Sequence, residues 1–477
     1  MKRTFVLLCM VLAMGSMQAQ EITEVADSVP NTETHNEKIF SINGYGRGSI
    51  YAGSKDFDMA AAFAEISLQP SIEKWGAVLK SDLRFGTGYF FNEYQNVLQI
   101  KELYIGYRRD KFSVLLGNQI VNWGRTDGFN PTNNITPNDY FFLSANPNDQ
   151  KLSNFLLKLN YRPVSGINLE LIGIPFYKMS NYRFDLFDLS NMGGIGAMMD
   201  MGMSGMSGMM PTIFFGEDIM PNKKLENASL AFRADFDYSA FGGSISCFHG
   251  YDPYHGIEMS SFYYSSQTQT GKILPVAFQI ISVPYRKTTI GADFAVPAKM
   301  FIIRGEAAYN IVENKDKKAS IPNSDLSYVA GLEANVGGFM LLGQYIGKYT
   351  FDFEELSYPV LTSLTNPLAF LQFANDMIDY QFRFFNRKIF NQQEKWNHAV
   401  ALTASKSFAY DQLNAELTGY YNVTSEELMI RPCLSWRIND ILSLTVGGMY
   451  MHGKENSLYS FTSRVMNGGF VEFKASF

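Results

Sequence analysis

Long apolar runs are missing from this chain. Past an N-terminal stretch, no segment reaches the roughly 18 uninterrupted apolar residues that a membrane helix requires, so helical spans are excluded. Cysteine is almost absent: Cys9, Cys247 and Cys433 are the only three in 477 residues. A disulfide framework is therefore excluded, and at most one bridge, Cys247 to Cys433, stays open. Charge of one sign is also lacking. Charged residues are 18% of the chain and the net charge is −6, which argues against a nucleic-acid partner or a polyanion-wrapping surface.

Catalytic motifs are equally scarce. The histidines are His35, His249, His255, His398 and His452, and neither a G-x-S-x-G elbow nor an H-E-x-x-H helix occurs. His249 and His255 flank Asp252 as a conceivable acid–base or metal group, but a six-residue spacing is not a recognised ligand spacing. The chain is read as no enzyme, with no cofactor and no bound metal.

What is present begins with an export signal. Lys2 and Arg3 precede the apolar run from Phe5 to Met14, and "GSMQAQ" follows. This is the order of a secretory signal peptide, assigned to residues 1–19 with cleavage near Ala19. Cys9 lies too early for a lipoprotein cysteine. Residues 20–38 are acidic and poor in apolar groups, and read as a flexible periplasmic segment too small to be a transporter plug.

Aromatics are 15% of the chain, with 39 Phe, 27 Tyr and 39 Gly. Export, aromatic richness and the absence of apolar runs are reconciled by a transmembrane antiparallel β-barrel, assigned to residues 39–477. The last stretch, "GGFVEFKASF", alternates Val471, Phe473, Ala475 and Phe477 against Glu472, Lys474 and Ser476. A period-two closing strand that ends in Phe resembles the terminal signal of bacterial outer-membrane proteins. The same alternation recurs throughout, as in 76–88, where Leu79, Leu83 and Phe85 oppose Lys80, Asp82 and Arg84. Eighteen strands are predicted, with sixteen as the alternative, joined by short periplasmic turns and long extracellular loops. The count of eighteen treats 275–296 as one strand, through Pro284.

An eighteen-stranded barrel encloses an aqueous lumen. The side chains predicted to line it are Lys80, Asp82, Arg84, Glu102, Arg108, Arg233, Asp235, Arg304, Glu306 and Glu333, with Lys158, Asp293, Lys348, Glu416, Arg431 and Arg437 on the same faces. Their signs are mixed, so no ring announces ion selectivity, and the charges also serve to keep the wall wet and in register.

Three stretches carry a resemblance. "GNQIVNWG" (117–124), followed by Asp127, Asn130–Pro131 and Pro137, together with "FHGYDP" (248–253) and "IIRGEAAY" (302–309), resembles a family of exported porin-like barrels without an assigned substrate, itself similar to alginate-export and other large-solute porins. The resemblance implies passage of a small-molecule or lipid-like solute. By its own chemistry, Trp123 stands where a strand leaves the membrane and is expected in the aromatic girdle. Gly124, Gly128 and Asn130–Pro131 then turn the chain. Loop 124–152 either folds inward as a constriction, with Trp123, Arg125, Asp127 and Asn130 as its candidate residues, or caps the outside. Segment 352–396 reads as partly helical and apolar, either a plug or a greasy outer surface.

Between strands seven and eight lies "GGIGAMMDMGMSGMSGMM". Met192–Met210 holds eight of the chain's 23 methionines. Met198, Met199, Met201 and Met203 are candidates for an adaptable hydrophobic contact, while a Cu(I) site lacks a neighbouring Cys or His.

The functional reading is a porin-like channel in the outer membrane of a Gram-negative bacterium. A structural barrel whose large loops bind a surface partner or lipoprotein is the alternative, and a barrel hydrolase the last. Expected partners are outer-membrane lipid and lipopolysaccharide, the outer-membrane assembly machinery and the solute itself. Exposed aromatics such as Tyr107 and Phe232 suit either lipid or a second subunit in a homo-oligomer.

Overall fold

The computed structural model describes residues 39–187, 212–267, 272–363 and 367–477. The predicted signal peptide, the acidic segment 20–38 and Met198, Met199, Met201 and Met203 lie outside the described residues.

Alternating sequences form the wall. The first seven strands are β1 (Phe40–Ala52), β2 (Met59–Lys74), β3 (Ala77–Phe90), β4 (Glu93–Arg109), β5 (Phe112–Gln119), β6 (Asn154–Tyr161) and β7 (Ile167–Ile174). The chain then lays down the short β8 (Thr212–Phe215) away from the wall and returns for β9 (Ser229–Tyr238) and β10 (Phe241–Tyr251). It leaves again for β11 (Gly256–Gln267) and β12 (Lys272–Val283) before resuming with β13 (Arg286–Ala298), β14 (Phe301–Val312), β15 (Asp325–Val336) and β16 (Phe339–Thr350). Helix α1 (Pro367–Ile389) precedes β17 (Trp396–Phe408), β18 (Leu413–Asn422), β19 (Glu427–Arg437) and β20 (Leu442–Gly453); helix α2 (Leu458–Met466) precedes the last strand, β21 (Gly468–Ser476).

Eighteen of these strands form one sheet, each antiparallel to its neighbour. β7 pairs with β9, β10 pairs with β13, and β21 pairs back onto β1, so the sheet closes on itself. Phe477 seals the seam: its backbone N–H and C=O each exchange a 2.9 Å bond with Gly44. Among the described residues closure leaves one long unpaired stretch in the wall, taken up below.

Faces follow the period of two. Along β1, Tyr45, Arg47 and Ser49 are buried while Ile42 and Ile50 are exposed. Exposed Phe85, Ile105, Phe232, Ile290, Leu402, Val446 and Val471 continue the outer belt around the wall. Short turns, the start of β1 and the end of β21 lie at one end of the barrel. Trp75–Gly76 and Gly337–Gly338 all take positive φ there, the geometry that two-residue hairpin turns demand. The long connections lie at the other end. No helix among the described residues is long and apolar enough to cross a membrane.

One predicted strand divides. Residues 275–296 are not continuous: β12 ends at Val283 and β13 begins at Arg286, because Pro284 cannot donate to a ladder. β12 instead pairs antiparallel with β11 and parallel with β8, in a separate three-stranded sheet at the loop end. The count of eighteen stands because β13 alone completes the wall, and sixteen is excluded. The hairpin between β13 and β14 turns at 299–300, with Pro297 inside the strand.

The loop end carries its own core. Phe382 and Phe385 of α1, Phe461 and Val465 of α2, Ile257, Ile280, Phe141 and Phe184 are all buried in one cluster with Ala61 and Phe63 of β2. α2 starts at Ser457, whose hydroxyl accepts from the Ser460 N–H, a normal N-cap. Segment 352–396 thus provides a helix that packs beside the wall as part of this cap.

Candidate functional site: a loop clamped across the lumen

The connection between β5 and β6, residues 120–153, folds into the barrel. It is held to opposite walls by two charge networks built from strand residues that alternate inward.

The first network grips Gly124 to Thr132. Glu306 of β14 accepts from the Thr132 N–H (2.8 Å) and hydroxyl (2.7 Å) with one oxygen. Its other oxygen takes the Thr126 hydroxyl (2.7 Å) and the Arg125 N–H (3.2 Å). Gly124 must be glycine, since its φ is +98° and a Cβ would collide with the Glu306 carboxylate. Arg125 reaches Asp235 of β9 at 2.6 Å and Asp293 of β13 at 3.0 Å. Arg233 lies 3.5 Å from both carboxylates. Arg304 pairs with Glu333 at 2.6 Å and donates to the Arg125 carbonyl at 2.9 Å. Farther along, Phe129 stacks on Tyr420 of β18, centroids 5.2 Å apart. The loop leaves the wall at β5 and touches it again ten strands later.

The second network grips Ser144 to Lys151. Asn146 caps a single turn of 3-10 helix, Pro147–Gln150, which presents Asp149 inward. Asp149 binds Arg47 of β1 at 2.6 Å and Arg84 of β3 at 2.8 Å. Arg47 also meets Glu65 at 2.8 Å and Glu472 at 3.4 Å, and Arg84 meets Asp82 at 2.9 Å. A register shift between Asp82 and Leu83 bulges β4, and this turns Lys101 inward. Lys101 donates to the Asp149 carbonyl at 2.6 Å and to the Lys151 carbonyl. Arg431 of β19 donates to the Ala145 carbonyl.

Cavities flank the loop. One of about 350 Å³, toward the loop end, is lined by Asn130, Asn134, Tyr285, Lys287, Asn310 and Lys348 among others. The other, about 850 Å³ toward the turn end, is lined by Tyr45, Arg47, Arg84, Asp149, Glu472 and Lys474 among others.

Most of the sequence candidates meet here. Arg125, Arg233, Asp235, Arg304, Glu306 and Glu333 form the first network, and Asp82 and Arg84 join the second. Glu102 accepts from the Ile120 N–H at 3.0 Å, where the chain turns inward. Asn130 lines the loop-end cavity and Asp127 is exposed. Lys80 and Arg108 are exposed near the turn end, apart from both networks. Trp123 is a correction. It is 2% exposed and donates to Glu170 at 2.7 Å, so it faces inward rather than joining a girdle. The reason is that the strand has already ended at Gln119, and Trp123 packs with Ile135, Leu156, Ile172 and Phe248 on the inner wall.

Sequence reasoning missed Arg47, Asp149, Lys101, Thr126 and Thr132. Arg47 carried a readable sign: it stands on the same alternating face as Tyr45 and Ser49. Asp149 carried none, because a loop carboxylate is not assigned to a face by periodicity.

The histidines among the described residues do not assemble a site. Asp252 is taken by Lys287 at 2.6 Å and the Tyr285 hydroxyl at 2.7 Å. His249 contacts Thr288 and Arg286. His255 is buried against the Ser180 and Gly256 carbonyls, and burial holds its ring below the usual imidazole range. No group of three or more potential metal ligands occurs among the described residues. Cys247 and Cys433 are both free thiols.

No family model matches the chain, and no curated protein matches it. Solved structures do. OpdK from Pseudomonas aeruginosa, determined with vanillate, superposes with a TM-score of 0.52 at 7% identity, covering 92% of this chain and 98% of that one. OccD3 (OpdP) from the same organism gives 0.50 at 7% identity, covering 92% and 91%. At such identity the likeness is one of fold, a porin-type barrel. The similarity to alginate-export porins is not supported by these neighbours.

Proposed function

We propose that this chain is an outer-membrane channel that passes small solutes past the clamped loop 120–153. The observation that supports it is the loop's position. It lies inside the barrel, tied to opposite walls, with a cavity on each side. A loop retained only as a cap would have no use for buried carboxylates on both walls, since desolvating charge is costly unless each is paired. The turn end is then periplasmic and the loop end extracellular. Arg125 and Asp127 narrow the passage, and Asp82, Arg84, Arg233, Asp235, Arg304, Glu306 and Glu333 form its walls. The charges nearly cancel, so solutes are selected by size and hydrogen bonding more than by sign. The outer belt meets lipid and lipopolysaccharide, and the C-terminal strand addresses the assembly machinery.

Planar-bilayer recording and liposome swelling test this. Stepwise KCl currents and swelling that falls with solute size are expected; a barrel silent to ions and sugars alike would end the proposal. A second reading, a surface-interaction barrel, draws on the loop-end cap, where Tyr358 and Val360 are 47% and 79% exposed. A co-purifying partner lost on deleting 352–363, from a barrel without conductance, would favour it.

A further inference from the structure

β4 has a side without a neighbour. On one side it is paired with β3 from Glu93 to Tyr107. On the other, β5 accompanies it only from Leu103 to Arg109, because the chain turns inward after Gln119. No strand among the described residues borders Glu93 to Glu102 on that side. Two contacts close the lower part of the gap: the Ser153 hydroxyl donates to the Ile100 carbonyl at 3.3 Å, and the Ile120 N–H to Glu102. Above them a cavity of about 540 Å³ opens, and its lining comes from both faces of the wall. Glu65, Arg84 and Asp149 belong to the lumen; Leu98 and Ile100 belong to the outer belt and are 74% and 43% exposed.

The depth of this gap gives it meaning. Tyr89 and Tyr94 are exposed and stacked edge to face, 5.2 Å apart, at the tip of the β3–β4 hairpin, as an interfacial girdle requires. Leu98 lies four residues down the strand, roughly 14 Å along it, among the apolar belt. Unpaired backbone is not tolerated against hydrocarbon unless it borders a polar cavity. Here it does. The inner surface is aromatic, from Phe63, Phe90 and Phe142, and the rim carries Lys178, Arg183 and Asp139, of which Arg183 is paired with Asp185 at 2.8 Å. Lys178 donates to the Ser153 carbonyl at 2.8 Å and has no carboxylate partner among the described residues. Asp139, also at the rim, is satisfied by the Phe141 N–H and the Asn181 amide.

We infer that the gap beside β4 is a side portal, through which a single-chain amphiphile with an anionic head passes between lumen and membrane. Its chain lies along Leu98, Ile100 and the phenylalanines, and its head meets Lys178. This rests on the lumen being a solute path, but the tests separate the two.

In full-length protein carrying Cys247→Ser and Cys433→Ser, a bimane label is placed at Val97→Cys, on the lumenal face beside the gap. Leu98→Cys serves as the lipid-facing reference and Thr403→Cys as a lumenal reference behind closed wall. Proteoliposomes are made from phosphatidylcholine with or without acyl-chain bromines. Quenching at Val97 approaching that at Leu98, with none at Thr403, is expected. Quenching at Val97 no greater than at Thr403, whether the seam is shut or covered by a second copy, overturns the portal. In the second arm, Val97→Trp/Leu98→Trp should slow transfer of dodecanoate roughly tenfold, equal to about 1.4 kcal/mol of barrier, with KCl conductance unchanged. Equal loss of both, or of neither, contradicts the portal. Bromine quenching at Val97 in a protein without KCl conductance would sink the channel reading and leave the portal standing.

Discussion

Glu306 is the residue on which the loop's position most depends. It receives two hydroxyls and three backbone N–H groups from Arg125, Thr126 and Thr132, and leaving such donors buried and unmatched costs about 1–3 kcal/mol each. Glu306→Gln is expected to increase hydrogen exchange across residues 124–132 while the strands keep their protection. Unchanged exchange there would show that the loop is held by other means. Asp149 tests the electrostatics. It lies between Arg47 and Arg84, so Asp149→Asn removes the negative charge that the two guanidinium groups share and makes this part of the passage more positive. Wild-type reversal potentials in a KCl gradient should sit near zero, and the variant's should move toward chloride. A shift toward potassium would contradict the assignment of these side chains to the pathway. Glu306 was legible on its strand as an inward residue, but its role was not. That role is set by a partner 174 residues away in sequence, a distance over which alternation carries no information.

Elements separate into a wall and a cap. The wall was readable because each strand states its own face; the reading failed at the division of 275–296 at Pro284 and at the end of β5 at Gln119, ahead of Trp123. At the first, a proline that cannot donate ends one strand before the next begins. The cap was only partly readable. The helical character of 352–396 was visible, whereas α2 was not, since nine residues hold too little periodicity. In the cap, Lys388 of α1 is 6% exposed, with its ammonium 4.0 Å from the Phe384 ring centre and 5.5 Å from that of Phe461. Burial lowers it to about 8, against a smaller opposing pull from Glu427. A lysine depressed when folded binds fewer protons than the unfolded chain between about pH 8 and its free value near 10.4. Docking of α1 should therefore strengthen as pH rises through that window and be flat below it. Protease protection of 367–389 measured from pH 6 to 10 checks this, and Lys388→Met should abolish the rise. Phe385→Ala, at a site 1% exposed, should cost the cap about 3–5 kcal/mol. Its loss of hydrogen-exchange protection should be confined to α1 and α2; spread into the strands would mean that wall and cap unfold together.

For the whole molecule, closure of eighteen strands creates the lumen and loop 120–153 decides what the lumen does. Fold and inward faces were legible because a barrel in lipid has to alternate. The inward fold of the loop was left open by its sequence, since turn-rich polar segments suit an outer cap equally well. Three short motifs now have a common reason: Gly124 needs Glu306, and Phe248 packs with Trp123. The central claim, that this loop narrows a conducting pore, is tested most directly by single-channel recording of the wild type beside Glu306→Ala/Asp149→Ala, which removes the carboxylate at the centre of each network. The account predicts small, steady currents for the wild type and a severalfold larger, noisier conductance for the double variant. Equal conductance in the two, with the variant folded, would contradict it.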